Sequence, residues 1–191
     1  MTDITSDSVA DRRLSRSQEA QPATSDAPGT ALEGADPADL VACVELLFFA
    51  YRDFTGGPDE VLEEYGFGRA HHRVLHFVHR NPGLRVADLL DILKITKQSL
   101  ARVLKQLIDK GFIMQRAGND DRRERRLFVT AKGGRLAEKL SNLQIRHIEA
   151  ALANAGPGAA EFARRFLFAM ITESDRPRVE ALVKQTSGVR T

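Results

Sequence analysis

The chain has 191 residues, 42% of them hydrophobic, which is enough for one domain with extensions and a sizeable core. Its net charge of +2 does not announce nucleic acid, but the charge is uneven: residues 97–135 hold eleven Lys or Arg against four Asp or Glu, a local +7. A single cysteine excludes an intramolecular disulfide framework, no apolar run could span a bilayer, and the acidic N-terminus lacks the apolar stretch of a signal peptide, so the chain reads as soluble and cytoplasmic.

Residues 1–36 are rich in Ser, Thr, Asp, Ala and Pro and carry three Arg against seven acids. Such a segment cannot bury enough surface to offset its ordering entropy and reads as a disordered tail. A first helix is expected from about residue 37 to Phe54, capped by Asp36 or Asp39, with Leu40, Val44, Leu47, Phe48 and Tyr51 as its apolar stripe. Gly56-Gly57-Pro58 should break it, leaving a short helical piece, Asp59–Tyr65. A second helix is predicted over Arg69–Arg80, stopped by Asn81-Pro82-Gly83, and a third over Val86–Leu93.

Lys94-Ile95 joins the third helix to a fourth whose two ends are both marked. Thr96 suits the N-cap, Ile95 and Leu100 the two positions of a hydrophobic staple, and Gly111 the left-handed residue that stops a helix. Leu100, Val103, Leu104, Leu107 and Ile108 follow helical spacing and should face a core. Lys97, Gln98, Arg102, Lys105 and Gln106 are left outside, with no carboxylate until Asp109. Such a face can donate to guanine and adenine edges and to phosphates. Two helices joined by a few residues, the second basic outside, make a helix-turn-helix.

After Gly111 the period changes. Phe112–Arg116 and Arg125–Thr130 read as extended runs around a polar turn, Ala117 to Glu124, giving a two-stranded hairpin with an arginine-laden tip. A hairpin directly after a recognition helix is a wing, and its arginines suit the negative potential of a narrow minor groove. Thr130 should cap a helix of about Ala131–Ala153 with Leu136, Leu140, Leu143, His147 and Ala151 on one face, ended by Gly156-Pro157-Gly158. A last helix, about Ala160 to Lys184, carries Phe162, Phe166, Met170 and Ile171, and Pro177 is a point at which it could kink or divide. These helices hold more apolar surface than a small winged domain needs, which points to pairing with a second copy. The fold class is therefore mainly α with a small β-hairpin wing (α+β): a winged helix-turn-helix over about 68–130 within a domain of 37–186, flanked by dimerisation helices at about 37–54 and 131–185, with a C-terminal tail at 187–191.

Four of the five histidines, His71, His72, His76 and His79, fall on one predicted helix, and His72, His76 and His79 share a face. The face could hold a metal, line an effector pocket with His71, or simply pack; no nearby fourth metal ligand stands out, and no cofactor or metal is expected. An enzyme finds no support, because there is no Gly-rich phosphate loop, no nucleophile elbow and no paired-carboxylate cluster. The alternative to DNA is a winged helix that binds protein, whose recognition face would be apolar or acidic rather than Lys97, Arg102 and Lys105.

The order of elements resembles the MarR family of bacterial winged-helix transcription factors. That family's wing motif is Asp-x-Arg, three residues, an aliphatic, one residue, an aliphatic, Thr. Asp121-Arg122-Arg123-Glu124-Arg125-Arg126-Leu127-Phe128-Val129-Thr130 fits each position, and Thr130-Ala131-Lys132-Gly133 matches the family's Thr-x-x-Gly entry to the next helix. The likeness covers about residues 37–186, and the wording of residues 68–111 resembles a PetP-like subgroup of proteobacteria. It implies a homodimer on pseudo-palindromic double-stranded DNA, modulated by a small effector. Lys97, Gln98, Ser99 and Arg102 would approach major-groove bases, with Ser99 also able to serve the helix start. Lys105 would meet phosphate, Arg123 would enter the minor groove, and Asp121 would orient the wing. Arg122, Arg125 and Arg126 match no fixed role, and phosphate contact and plain solvation both stay open. In the organic-hydroperoxide branch of the family an early-helix cysteine is oxidised to release DNA. Cys43 has no cation within a turn, and Tyr51 and Tyr65 do not have that branch's spacing, so a buried structural cysteine is expected.

Overall fold

A computed structural model of the chain describes residues 36–118 and 124–187, with side chains through residue 184. The expected N-terminal tail and the wing tip therefore lie outside the described residues, apart from Asp36, Ala117, Gly118 and Glu124. The chain divides into two units, residues 1–41 and 42–191. In the first, Asp36 rather than Asp39 caps the opening turn of helix α1 (Pro37–Glu63), its carboxylate accepting the Ala38 N–H at 2.9 Å.

The second unit holds the rest of α1, then α2 (Arg69–Arg80), strand β1 (Leu84–Arg85), α3 (Val86–Leu93), α4 (Lys97–Asp109), β2 (Ile113–Ala117), β3 (Arg125–Val129), α5 (Ala131–Ala155), α6 (Ala159–Ala169), a single 3-10 turn at Glu173–Asp175, and α7 (Arg176–Ser187). α2 and α3 have the bounds expected from the breakers between them. The core is built by Leu62, Val74, Leu75, Val78, Leu89, Leu100, Leu107, Phe112, Ile113, Leu127 and Leu140, each at most 2% exposed. It lies where α2, α3 and α4 meet the sheet and the start of α5.

Three expectations need correction. α1 runs through Gly56-Gly57-Pro58 instead of breaking there. An interior proline costs a helix about 3 kcal/mol through its lost donor and its ring. Here Thr55, Pro58 and Leu62 are all buried, and burying a side chain of leucine size contributes roughly 1.5–3 kcal/mol, so tertiary packing offsets the break. Thr55 Oγ1 also donates to the carbonyls of Tyr51 and Arg52 at 2.9 and 3.1 Å.

The second correction is the sheet, which among the described residues has three antiparallel strands in the order β1-β3-β2 rather than the two of a hairpin. Leu84 pairs with Leu127 and Arg85 with Arg126, two residues that carry no periodicity to read. The third concerns where the last helix divides: the break allowed for at Pro177 falls earlier, between Ala169 and Arg176. Arg176 turns back and donates to the Ala169 carbonyl at 2.9 Å and that of Ile171 at 3.0 Å, supplying donors for the end of α6. Pro177 then sits in the first turn of α7, where a missing N–H costs nothing.

The join of wing and long helix is tight. Thr130 caps α5 by accepting the Gly133 N–H at 3.1 Å and donates its hydroxyl to the Gly111 carbonyl at 2.7 Å. Its own N–H donates to the Phe112 carbonyl at 3.0 Å. A Cβ on Gly133 would stand 2.0 Å from that same carbonyl oxygen, so only glycine fits. Gly133→Ala should therefore cost about 2 kcal/mol or more of unfolding free energy, while Gly134→Ala, whose nearest contact would be 3.9 Å away, should be neutral or slightly stabilising. Denaturant midpoints of the two variants check this.

Candidate nucleic-acid interface

α4 forms where its caps dictate. Thr96 Oγ1 accepts the Ser99 N–H at 3.1 Å. At the far end Gly111 has φ +74°, and its N–H donates to Ile108 at 2.9 Å while that of Phe112 donates to Leu107 at 2.8 Å. Those two bonds are the Schellman arrangement that satisfies the last free carbonyls of a helix. Leu100, Val103, Leu104 and Leu107 are buried and Ile108 is half-buried. At roughly 1.5–3 kcal/mol per side chain, this burial fixes which face turns outward.

That outward face carries the predicted readers. Lys97, Gln98 and Arg102 are exposed, and among the described residues no hydrogen bond or ion pair holds them. Lys105 is exposed too but pairs with Asp109 at 2.6 Å. An exposed i, i+4 pair is worth a few tenths of a kcal/mol, little against a charge-assisted bond to phosphate. The Ser99 hydroxyl accepts a bond from Thr96 Oγ1 at 2.9 Å and so belongs to the helix start. Gln106, also read as outward, is held from α2: its Oε1 lies 2.5 Å from His71 Nε2. Asp121, Arg122 and Arg123 lie outside the described residues. At the base of the wing, Arg126 reaches Glu124 at 3.1 Å, and the Arg116 guanidinium stands over the Phe128 ring at 5.1 Å.

The histidines separate. His71 Nδ1 accepts the Gly68 N–H at 3.1 Å, so Nε2 carries the proton and donates to Gln106. Its ring stacks on Phe67 at 4.6 Å. His71 thus starts α2 and steadies α4, a double role that helix periodicity does not signal. His72 and His76 instead line a cleft of 270 Å³ with Tyr51, Phe54, Arg69 and Gln144. A neighbouring cleft of 390 Å³ shares His76 and is closed by Ile145, Ile148, Leu182 and Val183. His79 lies 4.0 Å from Glu138 of α5. Among the described residues no three His, Cys, Asp or Glu side chains come together as a metal site. Cys43 is exposed, against the expectation of a buried thiol, because nothing among the described residues covers that part of α1.

The chain is similar to known proteins in this arrangement. A family model described as MarR family matches residues 65–124. The HTH-type transcriptional regulator PetP of Rhodobacter capsulatus is 46% identical over 139 residues, which are 73% of this chain and 84% of that protein.

The chain belongs to the MarR family.

It has that family's winged-helix fold, and the curated relative is named a transcriptional regulator, not an enzyme. Streptococcus pneumoniae FabT, solved in complex with DNA, matches with a TM-score of 0.63 over 69% of this chain and 94% of its own, at 16% identity. A mutant MarR from E. coli complexed with operator DNA matches with a TM-score of 0.57 over 72% and 100%, also at 16% identity. Identities that low speak for the fold alone. Among the described residues, no helix is long and apolar enough to cross a membrane.

Burial lowers the pKa of both His72 and His76 below the ordinary histidine range. For His76, the charges of His72, Arg80 and His79 add to the effect. The unfolded chain therefore binds protons more readily than the fold, and stability falls as pH drops below about 6.5, the free histidine value. Above that value the two rings contribute no pH dependence. His76→Gln should shrink the loss of stability between neutral and mildly acidic pH, as read from denaturant midpoints.

Proposed function

We propose that this MarR-family chain is a sequence-specific transcriptional regulator that grips a pseudo-palindromic operator as a homodimer. The observation that carries the reading is the outer face of α4: Lys97, Gln98 and Arg102 exposed and uncommitted on a helix held firmly by its other side. Lys97, Gln98 and Arg102 would read base edges in the major groove, and Lys105 would exchange Asp109 for phosphate. Ser99 would serve the helix cap first and DNA second. Arg123 would enter the minor groove, with Asp121 orienting the wing and Arg122 placed to meet phosphate. That FabT and the MarR mutant were solved with DNA supports the partner.

Exposed apolar surface supports the dimer. Val44, Leu47, Phe48 and Tyr51 of α1 are 42–69% exposed, and Phe162, Phe166 and Leu167 of α6 with Met170 at its end are 48–64% exposed. Apolar patches of this kind mark interaction surfaces. A second copy would cover them, and Cys43 with them. Light scattering should give twice the chain mass at micromolar concentration; the mass of one chain would contradict the dimer.

A small effector would occupy the cleft of His72 and His76, whose apolar walls and exposed Arg73 suit an anion with an apolar body, Arg69 being paired with Asp59 at 2.8 Å. His71 faces α4 instead and would act through it.

DNA binding is tested by footprinting the chain's own upstream DNA and following affinity against salt. Lys105→Ala should lower the salt slope by about one unit with little change in sequence preference. Arg123→Ala should weaken binding and leave preference mostly unchanged away from A·T-rich flanks.

A further inference from the structure

The C-terminal elements do more than present apolar surface. The segment Asp175–Arg178, where the 3-10 turn passes into α7, reaches the first helix of the helix-turn-helix at two points. Arg178 Nη2 donates to the main-chain carbonyl of Asp88, in the first turn of α3, at 2.9 Å, and Nη1 lies 3.5 Å from the Asp91 carboxylate. Asp175 Oδ1 lies 3.1 Å from Nζ of Lys94, the residue that ends α3.

The two points are six residues apart, about 9 Å along a helix. One contact would leave α3 free to swing; two at that separation set its direction. α3 has only eight residues; Leu89 and Leu93 are buried and Val86, Leu90 and Ile92 half-buried against the core, so burial holds one face of a short helix and contacts on its other side help to set its direction. Asp88 does not compete for Arg178 through its carboxylate. Arg85 holds that carboxylate with two bonds of 2.7 Å and keeps its pKa below the usual range, which leaves the carbonyl to Arg178.

Lys94 adds an independent sign. It is the one non-glycine residue with positive φ among the described residues, at φ 51° and ψ 43°. A side chain in that region is uncommon and persists where its surroundings over-determine it. The turn from α3 into α4 is made by this strained residue, and its ammonium is drawn to Asp175.

We infer that Asp175 and Arg178 are positioning residues for the reading head: from outside the winged domain they fix the direction of α3, and through the Lys94 turn the angle at which α4 meets DNA. Neither residue lies on α4 or the wing. Their loss lowers discrimination more than it lowers general attraction to phosphates, because the basic charge of α4 and the wing is unchanged. Arg178 and Asp175 are half-buried and their partners Asp91 and Lys94 mostly exposed, so the effect is moderate and not all-or-none.

The inference rests on the DNA-binding reading, and the test separates the two. A duplex is first selected by the wild-type protein from a random pool; failure to select any duplex would sink the DNA reading and leave the clamp to the exchange measurement below. The variant Asp175→Asn/Arg178→Ala is then compared with wild type on that duplex and on a scrambled one. The selected duplex should bind about three- to tenfold more weakly and the scrambled one equally well, with the dimer mass and melting temperature unchanged. Arg178→Lys, which keeps the charge but cannot span both partners, should lose less on the selected duplex than the double variant does. Hydrogen exchange without DNA should speed up across residues 86–94 in the double variant and not across α2. Unchanged exchange in α3 overturns the clamp. So does equal weakening on both duplexes, or a loss that goes with a lower melting temperature or a split dimer.

Discussion

The main-chain carbonyl of Phe112 joins the parts of this protein that must agree with one another. It follows the left-handed Gly111 that ends α4, it accepts the Thr130 N–H that closes the wing, and it lies against Gly133 in the first turn of α5 with room only for hydrogen. The Phe112 ring is buried, edge-on to Tyr65 and Phe67 at 5.3 and 5.1 Å. Lys110, the last residue of the helix end, donates to the Tyr65 carbonyl, and Lys132 donates to the carbonyl of Lys110 at 3.1 Å. The end of α4, the root of the wing and the start of the long helix are thus one hydrogen-bonded junction. Their relative placement does not depend on a free loop.

That junction lets a chain of nearly neutral charge present a strongly basic surface. Burial of the Leu100–Leu107 face holds α4 from one side, and the caps at Thr96 and Gly111 define its length. Nothing on the other side needs to contribute to stability, so its cations stay available. The residues that do contribute are withdrawn: Ser99 to the cap, Gln106 to His71. The same economy holds in α2, where His71 serves the start of one helix and the flank of another while His72 and His76 turn into the cleft.

Where local chemistry decides structure, the sequence is legible. α2, α3 and α4 lie between unmistakable stops, and Thr96, Thr130 and Gly111 act as their residue types suggest. Where tertiary contact overrides local preference, it is not. Gly56-Gly57-Pro58 reads as a break, yet burial of Pro58 and Leu62 carries α1 through it. β1 is two residues long and exists only because β3 pairs with it. The division after Ala169 depends on Arg176 reaching back across the turn, which no spacing announces. Of the candidate site, the α4 face could be read from periodicity, and the structure bears out its exposure. The His71–Gln106 bond could not, because it joins residues 35 apart in sequence. The exposure of Cys43 could not be read either, because an apolar stripe on a helix does not say whether the chain itself covers it.

The central claim is that α4 reads sequence through its outer face. Arg102 occupies the middle of that face, with a fork suited to guanine O6 and N7. The most direct test is to select binding sites from a random DNA pool at fixed salt with wild type and with Arg102→Ala. Loss of a bidentate base contact should relax preference at one position in each half-site and cost about 1–3 kcal/mol. If Arg102→Ala returns the wild-type consensus with undiminished affinity, α4 is not the reading helix.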